Sequence, residues 1–171
     1  MHGLKVTLHI IDKISEWTAN VASWLVVAIV SVTVYEVVLR YFFNAPTKWA
    51  FEFNYLAYGP YFILLGAYVF ATDNHVNVDI IYGRFSVRQR AIIDICTFPF
   101  IFFFTLMMLV YGGRFAANSW AFKETLSSAW APPIYPIKMV IPMGAALLML
   151  QILAKLIRDL YIAYTGKEHV L

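Results

Sequence analysis

Four apolar stretches, each about as long as a bilayer is thick, dominate this chain and leave it few folds to adopt. They cover residues 17–39, 49–71, about 91–111 and about 134–156. A hydrocarbon core of about 30 Å takes roughly 20 residues of helix to cross. Lipid offers the backbone no partner, so each stretch must satisfy its own N–H and C=O groups, and that selects helix. The charge content agrees: 13% of residues are charged, against about 25% in an ordinary soluble domain. The expected fold class is an all-α integral membrane protein with four transmembrane helices and an N-terminal amphipathic helix. No repeat or low-complexity tract divides residues 1–171, so one membrane domain is expected.

The amphipathic helix is read over residues 4–16. Leu4, Leu8, Ile11 and Ile14 recur at steps of three and four, while Lys5, His9, Asp12, Lys13 and Glu16 fill the complementary positions. That pattern fits a helix lying at the interface or leading into the first span. The first apolar run exceeds the usual signal-peptide core of about 7–15 residues. Its small residues Ala19, Ala22 and Ser23 precede most of that run. An uncleaved anchor is therefore expected.

The cations set an expected orientation. With four spans, both ends lie on one side. The ends and the middle connection hold eight of the thirteen Lys and Arg residues, the first and third connections five. By the positive-inside rule both termini face the cytoplasm. The net charge of +3 and a pI near 9.0 do not indicate nucleic acid, because the cations are spread over short segments between apolar runs. Cys96 is the single cysteine, so no intrachain disulfide forms. Ser86 followed by Gln89 is a capping-box pattern ahead of the third span. Pro142 should kink the fourth span or mark its start.

The densest polar stretch joins the first two spans and contains Glu36, Arg40, Tyr41, Pro46, Trp49 and Glu52. Ionisable groups at a membrane edge are costly, so a set of them is informative. Glu36 and Arg40 are four apart in the favourable order for a helical ion pair. A pair that fixes the end of the span is the preferred reading over a proton relay. Glu52 falls in the first turn of the second span, where an acid complements the helix dipole. Trp49 and Tyr41 to Phe43 suit an interfacial aromatic belt, and Pro46 makes the connection stiff and short. Asp73, His75 and Asp79 match no zinc or calcium template, so a polar turn is expected there. Gln151, Asp94 and Thr97 lie near lipid depth and should face other helices.

The chain has no P-loop, no Cys-x-x-Cys and no nucleophile elbow. It has no histidines at depth in facing helices, as a haem bundle would need. No catalytic, cofactor or metal residue is assigned, and no enzyme activity is expected.

Three patterns carry a resemblance. One is Glu36-x3-Arg40-Tyr41-x-Phe43 followed by Pro46-x2-Trp49-x2-Glu52. The second is His75-Val76-x-Val78-Asp79. The third is Pro132-Pro133-x-Tyr135-Pro136-x-Lys138, with Pro142 beyond. Together they make the chain similar to the small membrane subunit of tripartite ATP-independent periplasmic (TRAP) transporters. The resemblance implies a non-catalytic scaffold for a large multi-span permease subunit, which carries the substrate and sodium sites. It implies a soluble periplasmic substrate-binding protein as second partner, and sodium-driven import of an organic acid anion across the bacterial inner membrane. Membrane lipids are the remaining partner, and no nucleic acid is expected. Glu36, Arg40, Tyr41, Pro46, Trp49, Glu52, His75, Asp79, Pro133, Pro136 and Lys138 are the expected structural or interface residues. Two other readings remain: a self-contained four-helix exporter using Glu36 as proton site, and a membrane anchor for an enzyme complex.

Overall fold

The computed structural model describes residues 2–72 and 85–165, with side-chain surroundings from Lys5 onward. Among these residues the chain forms helices α1 (His2–Phe42), α2 (Ala50–Ala71), α3 (Val87–Ala121), the single turn α4 (Tyr135–Lys138) and α5 (Val140–Thr165). His75 and Asp79 lie outside the described residues.

Three helices are long and apolar enough to cross a membrane: α1, α3, and α5 together with the turn before it. Helix α2 has 22 residues, which at 1.5 Å each reach about 33 Å. Glu52, Asn54, four tyrosines and Pro60 dilute its hydropathy below that of the other three.

Expected boundaries shift in three places. The N-terminal segment takes the second of its two expected placements and forms the first part of α1, whose 41 residues extend about 60 Å, twice the hydrocarbon thickness. Nothing between residues 4 and 39 breaks it, since the stretch holds no proline and no glycine. The third helix runs ten residues past the expected end, to Ala121, because Gly112 and Gly113 weaken a helix without stopping it. The last long helix starts at Val140 rather than 134. Pro142 thus sits in its first turn, where its missing N–H costs no hydrogen bond. Helix α3 begins as expected: Ser86 caps it, and the Gln89 side chain returns to the Ser86 N–H at 2.9 Å.

Cross-contacts give the directions. Thr33 meets Asn54, Tyr35 meets Trp49 and Glu36 meets Thr47, so α1 and α2 are antiparallel. Ser15 meets Gln151 and Asp12 meets Arg158, so α1 and α5 are antiparallel too. Helix α3 runs against α5, from Asp94 beside Lys155 to Gly112 beside Ile141. The result is an up-down-up-down bundle with the start of α1 and the end of α5 at the same end. The longest packing seam joins α3 to α5, the next α1 to α2, and α2 also lies on α5.

The core is built from small residues. Among the described residues, eight of the ten buried hydrophobic ones are alanine, including Ala22, Ala67, Ala116 and Ala145. Small side chains let helix backbones approach closely, which in lipid is the main source of attraction between them. Bulky groups point outward instead: Trp24 is 72% exposed and Phe100 78%. Gly144 marks the tightest approach. A Cβ there would strike the side chain of Ile63 on α2 and lie 3.0 Å from its carbonyl oxygen.

Gly144→Val is therefore expected to cost about 2 kcal/mol through overpacking, read as a lower melting temperature in detergent. Gly113→Ala, with nothing within 4 Å of the added carbon, should raise it slightly, since glycine weakens a helix interior.

Candidate interaction surface

Two connections meet at the end of the bundle away from the termini. The first covers residues 43–49, the second 122–134. Their geometry begins where α1 stops. The Leu39 carbonyl accepts from the N–H groups of Phe43 (3.2 Å) and Ala45 (3.1 Å). Asn44 turns the chain with φ 49°, a left-handed conformation that asparagine tolerates better than most residues. Pro46 is exposed in this turn.

Glu36 organises the first connection. Its Oε1 accepts from Arg40 Nη2 at 2.8 Å. Its Oε2 accepts from both the backbone N–H and the hydroxyl of Thr47, at 3.1 and 2.5 Å. Thr47 Oγ1 accepts in turn from Ala50 N–H at 3.3 Å, one of the otherwise orphaned donors at the start of α2. The carboxylate thus links the last turns of α1 to the first turn of α2. The expected pair with Arg40 is present, and the Thr47 contacts add to it.

Aromatic rings tie the first connection to the second. Trp49 packs against Tyr35 and Phe53 on the two helices, and against Trp130 with centroids 6.4 Å apart. Below them, Glu52 accepts from Ser128 Oγ at 2.8 Å, and the same hydroxyl accepts from Ala131 N–H. Glu52 therefore holds the second connection as well as starting α2. Tyr41, Phe42 and Phe43 stay exposed, as belt residues would.

The second connection folds back on itself. Leu126 N–H donates to Pro132 O, and Ile134 N–H donates to Glu124 O, both at 3.0 Å. Pro133 pairs with Thr125 across this loop, and Pro136 lies in the first turn of α4. Lys123 and Ala131 take φ values of 50° and 48°, costly for residues with a side chain. Lys138 donates to Glu124 at 2.6 Å and lies 4.1 Å from the centre of the Phe115 ring. The Lys138 ammonium beside it holds the Glu124 carboxyl below the usual glutamate range. Lys123 sits 5.0 Å above both Trp120 and Tyr135, which meet edge to face.

The opposite end is tied by different polar groups. Gln151, 1% exposed, donates to Ser15 Oγ (2.8 Å) and to Ile11 O (3.2 Å). Asp12 accepts from Arg158, and Lys155 bridges to Asp94. Gln151 and Asp94 thus face other helices, as their depth requires. Thr97 donates to carbonyls of its own helix instead. No cluster of metal-ligating side chains exists among the described residues.

Residues 29–161 match the tripartite ATP-independent periplasmic transporters, DctQ component. The chain belongs to this family. Among curated proteins none matches. Membership makes the chain the small membrane subunit of a TRAP transporter, a transport component of the inner membrane. It implies association with the large permease subunit and with a substrate-binding protein. The matched region takes in both connections and, at the other end, the Asp94–Lys155 pair. It begins within α1, so Ser15 and Asp12 lie ahead of the matched residues.

Two outcomes are expected from this geometry. Glu36→Gln and Thr47→Val should each lower the melting temperature, and the double variant should fall short of their sum, because both act through one network. Additive losses in a detergent melt would show that the groups act separately. The second concerns pH. Because the Glu124 pKa is depressed in the fold, the stabilisation from its Lys138 pair is full above the unfolded glutamate value of about 4.3. It is lost as the pH falls through the lower folded value. Glu124→Gln should therefore show a shallower loss of melting temperature between neutral and acid pH than the parent chain.

Proposed function

We propose that this DctQ-family chain is a non-catalytic scaffold that braces the large permease subunit of a sodium-driven importer of an organic acid anion. In this reading it crosses the inner membrane four times, with α2 as the least apolar span and both termini in the cytoplasm. The end carrying the two connections then faces the periplasm, where it helps to dock the substrate-binding protein. The cation bias of the connections supports the orientation.

One observation carries the scaffold reading. Four acidic groups that lie between elements are each bonded across the bundle: Asp12 to Arg158, Glu36 to Thr47, Glu52 to Ser128 and Asp94 to Lys155. Carboxylates held this way fix helices relative to one another. A proton-carrying exporter would instead need one of them to open and close, and Glu36, its natural candidate, is held by Arg40 as well as Thr47. The outward-facing Trp17, Trp24, Phe100 and Phe104 leave apolar surface for lipid and for a larger membrane subunit. His75, Asp79, Pro133, Pro136 and Lys138 belong with Glu36, Arg40, Tyr41, Pro46, Trp49 and Glu52 as the structural and interface set of this reading.

Reconstitution in liposomes tests it. Uptake of an organic acid driven by a sodium gradient is expected only when the chain, the large subunit and the binding protein are all present. Transport by this chain alone would overturn the scaffold. Glu36→Gln and Arg40→Gln should reduce co-purification of the large subunit while leaving the order of substrate preference unchanged.

A further inference from the structure

The end of the bundle that carries the two connections is polarised in a way that scaffolding does not require. Residues 36–52 and 114–138 hold five cations, Arg40, Lys48, Arg114, Lys123 and Lys138, and three carboxylates, Glu36, Glu52 and Glu124. All three acids are engaged within the fold. Glu36 is 14% exposed and bonded to Arg40 and Thr47. Glu52 holds Ser128, and Glu124 holds Lys138. The cations are arranged the other way. Lys48, Arg114 and Lys123 are exposed, and none of the three has a carboxylate within ion-pair distance among the described residues. Arg40 pairs with Glu36 yet keeps a side chain 57% exposed.

Two of these cations also lie against aromatic rings. Lys123 lies over two rings, and Arg114 stands 5.8 Å from the centre of the Tyr111 ring. Lys48 precedes Trp49, which packs on Trp130 and so fixes the first connection against the second. The surface therefore presents positive charge beside exposed aromatic edges, and aromatic residues and arginine are enriched in recognition surfaces.

We infer that this platform receives an acidic patch on the soluble substrate-binding protein, with Lys48, Arg114 and Lys123 attracting it electrostatically. The inference rests on the proposed role of the chain within a three-component transporter and adds the chemistry of the contact. Unpaired exposed charges act over about 8–10 Å at moderate ionic strength. They speed encounter with an oppositely charged partner far more than they slow its release.

The test uses the complex of this chain with its large subunit in nanodiscs, and the substrate-loaded binding protein of the same transporter in solution. The parent complex should bind with an association rate that falls at least tenfold between low and high salt. A Lys48→Glu, Arg114→Glu, Lys123→Glu variant should lose at least tenfold in association rate at low salt and show a reversed salt dependence, with its dissociation rate little changed. The Gln triple variant should lie between the two. Undiminished co-purification of the large subunit shows that each variant is folded. An unchanged association rate and salt slope in a folded variant would overturn the inference and leave the three-component reading standing. So would a loss confined to binding of phosphatidylglycerol vesicles, which would assign the cations to lipid headgroups. Failure of the parent complex to bind the soluble protein at any salt would instead overturn the three-component reading itself.

Discussion

In hydrocarbon, an apolar side chain gains nothing by leaving lipid for protein, so the force that collapses soluble proteins is missing between these helices. What remains is close contact and polar bonding, and the bundle is arranged around both. Alanine lines the seams, and Gly144 lets α5 approach Ile63 of α2. Polar ties then sit near the two ends, where water and headgroups lower the cost of carrying charge. Gln151 with Ser15, and Asp12 with Arg158, close one end. Glu36 with Thr47, Glu52 with Ser128, and Glu124 with Lys138 close the other. Between them lies a middle zone of fitted small residues.

This division explains which parts of the molecule could be read from sequence. Apolar runs fix helix content strongly, because lipid permits little else, and the local capping box at Ser86 was legible for the same reason that its partner lies three residues away. The Glu36–Arg40 pair was legible at a spacing of four. Thr47 was not, since its contact with Glu36 depends on the turn at Asn44 folding back on α1. Ser128 lies 76 positions from Glu52, and no local pattern announces a bond over that distance. The aromatic junction of Trp49 with Trp130 was hidden likewise, behind the reading of Trp49 as a belt residue.

Helix ends were the least legible feature. Hydropathy reports where lipid begins, whereas helix extent depends on backbone breakers, and the two disagree in α1 and α3. Both helices continue through polar residues because no proline stops them there. Conversely, Pro99 lies inside the membrane-length helix α3 without ending it. A proline removes one backbone hydrogen bond, but leaving the helix inside a membrane would strand many more. The environment thus reverses the usual weight of a breaker.

The unbroken length of α1 has a mechanical consequence. Asp12 and Glu36 are fastened to different parts of the protein, one to α5 and one to the turn leading into α2, yet they ride on a single straight rod about 36 Å apart. A helix resists stretching far more than it resists bending. Any axial shift imposed on the loop at one face of the membrane must therefore appear with the same sign and size at Arg158 near the other face. A subunit built this way holds its two ends at a fixed spacing.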